Sequence, residues 1–257
     1  MPYPKSFTQE NREMDINNGL IHVLTFTSEW QATFTTALFL VISVVAAYLL
    51  GSINSAIIVS RVMYNDDIRK HGSGNAGLTN ILRTYGKRAA IFTLIGDMLK
   101  TAIAIFIAGF LLGFNYQFGI SYNEGWCYIA ALFSVIGHIF PVFYGFKGGK
   151  GVLSTATAAL ILTPIVFVVL LLIFVGVVAL SKYVSLGSVS AAVLYPILAS
   201  AYIKLFFTAS PGLLMLSIII LAIIIVWCHR GNLQRISDRT ERKLSFKKKD
   251  VEVSDEK

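Results

Sequence analysis

The sequence predicts an all-α integral membrane protein of seven transmembrane helical segments, N-terminus outside and C-terminus cytoplasmic, with some helices short or broken. Three observations predict it. Hydrophobic residues make up 55% of the 257-residue chain and the mean hydropathy is +0.68, more apolar than a soluble domain of this length. Several stretches approach the length and apolarity needed to cross a hydrocarbon core of about 30 Å. The formal charge of +8 is gathered at the borders of those stretches. Membrane orientation explains that placement better than nucleic-acid binding, the usual reading of a basic chain.

Residues 1–32 form a polar N-terminal extension with a weak apolar patch at 20–26. No basic region leads at once into an apolar core with a small-residue cleavage site, so no removable signal peptide is expected. The membrane-embedded domain runs over 33–245, and 246–257 is a mixed basic and acidic tail. Residues 33–60 form the first span, and 61–88 are polar. Residues 89–114 form the second span, interrupted by Asp97 and Lys100; the loop 115–125 has no Lys or Arg; and 126–144 form the third span. Residues 152–181 are almost wholly apolar with Pro164 in the middle. Proline breaks or kinks a helix, and one helix of that length would be about 45 Å long. Either one kinked helix or two short helices turning at 163–164 fits. Residues 184–203 and 211–228 are two further spans, and the tail from His229 is polar and basic.

Charge orients the chain. If the loops 61–88 and 145–151 and the tail share one side, the stretch 152–228 crosses an even number of times. Four short crossings put Lys182 on that same side. Only Lys5, Arg12 and Lys204 then lie opposite, with Lys100 inside a span. That asymmetry marks the richer side as cytoplasmic. Cys127 and Cys228 sit in or beside apolar segments and offer neither metal spacing nor a disulfide framework.

Three polar stretches meet on that side: 71–90, the loop 145–151, and 229–243. The first offers Gly72, Ser73, Gly74, Asn75, Thr79, Asn80 and Arg83; the second Lys147, Gly148, Gly149, Lys150 and Gly151; the third His229 and Asn232. Glycine lets backbone N–H groups approach an anion, Lys and Arg supply charge, and a helix start adds further N–H groups. Helix starts are expected at Leu78, running to Ala90, and at Val152. Together these point to recognition of a phosphate at the membrane surface. Topology alone calls for basic residues, but it does not call for Ser-Gly-Asn and Thr-Asn beside them.

Two pattern matches fail on context. "GSGNAG" at 72–77 fits G-x-G-x-x-G, yet it follows an apolar span and has no βαβ unit around it. "GFKGGKG" at 145–151 is too short for a P-loop, and no Ser or Thr follows Lys150. Asp97 and Lys100 share a helix face within a span, as a structural pair or as part of a site. His138 is read as capping or bridging helices.

The motifs "YLLGSI" (48–53), "DIRKHGSGNAGLTNILRTYGKRA" (67–89), "GDMLK" (96–100), "GHIFPVFYGFKGGKG" (137–151) and "HRGNLQR" (229–235) resemble those of the PlsY family over about residues 37–243. These are bacterial integral-membrane glycerol-3-phosphate acyltransferases with acyl phosphate as donor. The resemblance implies acyl transfer to the 1-hydroxyl of sn-glycerol 3-phosphate, giving lysophosphatidic acid and phosphate in phospholipid biosynthesis. It implies a seven-helix fold in the cell membrane with a cytoplasmic-side site. By motif match it places Ser73, Arg83, Lys150, His229 and Asn232 in the site, and Glu241 at a structural acidic position. Asn54 stands where the family often has proline, Gly231 where Glu is common, and Arg239 where Gly is common. The expected partners are acyl phosphate, glycerol 3-phosphate and membrane lipid, without nucleic acid, cofactor or metal, in a monomer.

Such a reaction asks for two phosphates to be held, so proximity and charge stabilisation dominate. Lys150, Arg83 and loop N–H groups are expected to stabilise the leaving phosphate and the carbonyl oxygen, with Ser73, His229 and Asn232 orienting the acceptor. The proton of the attacking hydroxyl could go to a substrate phosphate or to His229; no carboxylate to orient His229 is evident, which favours the phosphate. A different class, a transporter of a phosphorylated organic anion, also carries basic loops and broken helices. It usually places its site at the midplane between internal repeats, and no half-to-half repeat is found.

Overall fold

The computed structural model describes residues 20–21, 24, 28–113, 116–117, 120–121, 125–206 and 212–244. Most of the N-terminal extension and the whole 246–257 tail lie outside the described residues. The chain forms a bundle of α1 (Glu29–Ser52), α2 (Ser55–Tyr64), α3 (Leu78–Tyr85), α4 (Lys87–Leu112), α5 (Trp126–Ile139), α6 (Val152–Leu162), α7 (Pro164–Ser181), α8 (Val184–Phe206), α9 (Gly212–Cys228) and α10 (Arg230–Ser237). A short antiparallel pairing, Tyr116–Gln117 with Ile120–Ser121, joins α4 to α5. Among the described residues, five stretches are long and apolar enough to cross a membrane: Glu29–Tyr64, Lys87–Leu112, Trp126–Tyr144, Pro164–Ser181 and Val184–Leu205. The pair α9 and α10, bent by 48°, makes a sixth, and α6 is a shorter apolar helix.

Differences from the sequence expectation have local causes. The first span starts at Glu29, because the Ser28 hydroxyl accepts from the Gln31 N–H and caps the helix there. It is also broken, between Ser52 and Ser55. Fully buried Asn54 caps α2 by accepting from the Ile57 N–H, and its amide donates to the Ala76 carbonyl. A proline there could do neither. The helix expected over 78–90 is split at Gly86, whose φ of 84° and ψ of −170° end α3 and begin α4. At 152–181 the two-helix alternative holds. Pro164 opens α7 at a position where its missing N–H leaves no bond unmade. The break is satisfied by side chains. The Thr163 hydroxyl reaches the Ala159 carbonyl and the Tyr195 hydroxyl, and the Tyr128 hydroxyl donates to the Leu162 carbonyl.

Small residues carry the helix packing, as expected where lipid replaces water and close backbone approach drives association. The central cluster includes Ala47, Ala104, Ala108, Ala130, Ala131, Ala158 and Ala159. α1 and α5 touch backbone to backbone: a Cβ at Gly137 would lie 2.3 Å from the Tyr48 carbonyl oxygen. At one end of the bundle, the loop after α2, the loop between α5 and α6, the turn between α7 and α8, and the chain after α9 converge on one cavity.

Candidate active site

That cavity has a volume of about 710 Å³. Its wall is polar at the loops and apolar where α6, α7 and α8 diverge, with Leu160, Phe167, Leu170, Leu171 and Phe174 among the apolar residues.

The first loop leaves α2 through a 3-10 turn, Ile68–Lys70, and passes Gly72 and Gly74 at φ of 61° and 71°. Such left-handed turns favour glycine. Buried Asn80 holds the loop closed from within. Its Oδ1 accepts from the Ser73 N–H at 3.1 Å, and its Nδ2 faces the carbonyls of Ile68, His71 and Asn75 at 3.3, 3.0 and 3.1 Å. Beneath the loop, Asp67 forms ion pairs with Arg69 and Arg61, which hold its carboxyl well below the usual carboxylate range despite partial burial. Arg69 also donates to the Tyr144 carbonyl and so ties the first loop to the second.

The second loop is seated by backbone. The Gly148 and Gly149 N–H groups donate to the carbonyls of Ile139 and His138, both at 3.1 Å. Gly151, at φ of 78°, turns the chain into α6, whose first N–H groups have no intrahelical partner. Lys150 stands at that start and reaches the Asn232 Oδ1. Burial pulls Lys150 below its ordinary value, and the nearby Glu241 carboxylate only partly offsets this.

The third stretch hangs from α9. His229 is buried, and its Nδ1 lies 2.7 Å from the Ile225 carbonyl. A carbonyl only accepts, so Nδ1 carries the proton and Nε2 is left with a lone pair. The orienting partner that sequence did not reveal is therefore a backbone carbonyl one turn back. Asn232 donates to Glu241 Oε1 at 2.6 Å, Ser185 donates to the same oxygen at 3.0 Å, and Arg235 Nε donates to Oε2 at 2.8 Å. Burial would raise Glu241, but these three donors outweigh it and hold the carboxyl below its ordinary value. Glu241 thus fixes Asn232, and Asn232 touches Lys150.

The structure brings Ser73, Arg83, Lys150, His229 and Asn232 to one cavity wall, with Gly72, Asn75, Thr79, Asn80 and Gly151. Gly74, Lys147, Gly148 and Gly149 are not on that wall; Lys147 is exposed, and the two glycines act behind it. Ser185, Arg235 and Arg242 also line the cavity and were not read from sequence. The signal for Ser185 was positional: it follows the Lys182 turn, which charge placement puts on the site's side.

A polytopic helical membrane protein with two glycine-rich cationic loops opening onto a greasy cavity is built to handle an anionic headgroup attached to, or destined for, a long apolar chain. Comparison with known proteins agrees. A family model for glycerol-3-phosphate acyltransferase matches residues 41–239. The glycerol-3-phosphate acyltransferase of Paraburkholderia phytofirmans is 39% identical over 205 residues, 80% of this chain and 91% of that protein. That of Clostridioides difficile is 39% identical over 218 residues, 81% of this chain and 97% of that protein. Crystal structures of PlsY, an integral membrane glycerol 3-phosphate acyltransferase, align at 30% identity in two forms. The glycerol 3-phosphate form gives a TM-score of 0.69 over 80% of this chain and 96% of that one. The lysophosphatidic acid form gives 0.67, over 80% and 95%. The chain belongs to the PlsY family of glycerol-3-phosphate acyltransferases.

Proposed function

We propose that the protein transfers an acyl group from acyl phosphate to the 1-hydroxyl of sn-glycerol 3-phosphate, releasing lysophosphatidic acid and inorganic phosphate. The observation that carries this reading is the continuity of the cavity, cationic at Arg83 and Lys150 and apolar at Phe167, Leu170 and Phe174. A transporter of a phosphorylated anion has no use for the apolar arm.

The acceptor hydroxyl attacks the acyl carbonyl carbon, the new ester C–O bond forms, and the C–O bond to the donor phosphate breaks. The hydroxyl proton passes to a substrate phosphate, whose second pKa of about 6 suits the task. Lys150, Arg83 and the first-turn N–H groups of α6 stabilise charge on the leaving phosphate and carbonyl oxygen. Ser73, Asn232 and the bare Nε2 of His229 orient the acceptor. The site faces the cytoplasm across seven helical segments of the bacterial cell membrane, the orientation that places the basic loops and tail inside.

Purified protein given radiolabelled glycerol 3-phosphate and palmitoyl phosphate is expected to yield labelled lysophosphatidic acid, and palmitoyl-coenzyme A to yield none. Product from the thioester alone would overturn the donor assignment. Uptake into vesicles without product would overturn the reaction. His229→Gln tests the proton's route: a loss below about a thousandfold in turnover is expected, and a larger loss at unchanged acceptor affinity would make the imidazole the base.

A further inference from the structure

One buried ionic cluster lies behind the site, and the transfer reaction as derived makes no use of it. The Lys100 ammonium in α4 is 4% exposed, Asp97 1% and His138 3%. Nζ lies 2.8 Å from the Ile53 carbonyl oxygen, 2.9 Å from Asp97 Oδ1 and 2.9 Å from His138 Nδ1. An ammonium has three hydrogens and no lone pair, so three acceptors at these distances account for all of them. Nδ1 of His138 must therefore accept. A neutral imidazole has one proton, and it is on Nε2. Asp97 stands 3.7 Å from Nδ1 and takes a further, longer bond from the Ser55 N–H.

The opposite edge of that ring meets the site. A Cβ on Gly149 would lie 2.0 Å from His138 Nε2 and 2.9 Å from the Ala76 carbonyl oxygen. Three parts therefore close on the Gly149 α-carbon: the ring edge, the first loop through Ala76, and the second loop itself. Asp97 and His138 also reach the cavity wall. The cluster joins the α1–α2 break (Ile53 and Ser55), α4, the end of α5 and the residue before Lys150.

Stability alone does not explain the ions. Burying a charged pair costs as much as it returns, and well-packed apolar residues of similar size often serve equally well. What an ammonium supplies and a leucine does not is a fixed tautomer on its neighbour. We propose that Asp97, Lys100 and His138 are a positioning network for the transfer reaction: Lys100 locks the imidazole with its proton on Nε2, and that edge sets where Gly149, and with it Lys150, stands against the Ser73–Gly77 loop. This rests on the reaction proposed above, but its first test needs no substrate.

Nitrogen-15 NMR of the full-length protein labelled at histidine, with the His138 resonance assigned by its loss in His138→Gln, is expected to show a bare Nδ1 and a protonated Nε2. A proton on Nδ1 overturns the proposal, whether or not the protein transfers acyl groups. The double variant Asp97→Leu/Lys100→Met removes both charges and leaves His138. It is expected to keep a melting temperature near wild type, to show a mixed His138 tautomer, and to lose about a hundredfold in kcat/KM, the scale of a misplaced loop. Wild-type kcat/KM in that variant overturns the proposal. Should the double variant fail to fold, the pair His138→Gln and His138→Leu decides. Glutamine offers an N–H at the Nε2 position and is expected to be at least tenfold more active than leucine, whereas equal activities refute the role of that edge.

Discussion

Replacing Asn80 by alanine tests how the glycine-rich loop after α2 is held. The side chain lies 4% exposed inside the loop it closes. It accepts one bond, from the Ser73 N–H, and its two amide hydrogens are divided among three carbonyls. That amounts to three full hydrogen bonds at about 1 kcal/mol each. About 3 kcal/mol is on the order of a hundredfold in the ratio of closed to open loop, and activity falls with it once the closed form is no longer dominant. Because the loop opens locally, the loss is expected in kcat/KM, with little change in the bundle's melting temperature. Asn80→Asp sharpens the test. It keeps the size and the acceptor for Ser73, but turns an oxygen toward three carbonyl oxygens, and is expected to be at least as damaging as alanine. Steady-state kinetics in detergent with varied glycerol 3-phosphate would read both. Activity of Asn80→Ala within about threefold of wild type would refute the reasoning.

Further outcomes follow from other parts of the structure. The proposed role of Lys150 in anion binding needs its ammonium charged, and burial lowers its pKa; KM for glycerol 3-phosphate should therefore rise with pH before the ordinary lysine range is reached, and Lys150→Arg should move that rise upward. Glu241 is held below its ordinary value, so its contribution is fully present above the usual carboxylate range and fades as pH falls through the depressed value. Melting curves followed from neutral pH to well below the usual carboxylate range should show a smaller acid-linked loss in Glu241→Gln than in wild type, and kcat/KM of the variant should fall because Asn232 loses its anchor. Gly137→Ala would push a Cβ to 2.3 Å from the Tyr48 carbonyl oxygen; overpacking of this kind costs about 1–3 kcal/mol, and a drop of several degrees in detergent melting temperature is expected.

The site was legible in sequence where chemistry is out of place. Ser73, Arg83, Lys150, His229 and Asn232 stand in the polar stretches between and after the apolar spans and offer groups that crossing a membrane does not require, and all five reach one cavity wall. Asp97 and Lys100 were legible as a pair from their spacing of three. Their third member was not, because His138 is distant in sequence and its environment is set by how α4 and α5 pack. Ser185 carried only the positional signal of the Lys182 turn before it; its bond to Glu241 appears once the chain after α9 folds against α8. The break at Asn54 was missed because "SINS" does little to lower the apolar average around it. Only the distant Ala76 carbonyl shows why the helix stops there. Asn75, Thr79 and Asn80 looked alike in sequence, and geometry separates them: Asn80 has its amide engaged inside the loop. Pro164 marked a break but not its kind; the hydroxyls of Thr163, Tyr195 and Tyr128 decide that.

The uneven lengths of α6 and α7 have a consequence for access. Val152–Leu162 rises about 16 Å and Pro164–Ser181 about 27 Å. The two share the corner at Thr163, and both return to the same vestibule, at Gly151 and Ser185. From the shared corner, α6 ends about 11 Å sooner along its own axis than α7 does along its own. In the reaction proposed above, the apolar residues of α6 and α7 would then take the lipid tail and the loops at Gly151 the water-borne polyol phosphate, so that each substrate would stay with its own solvent until the two meet.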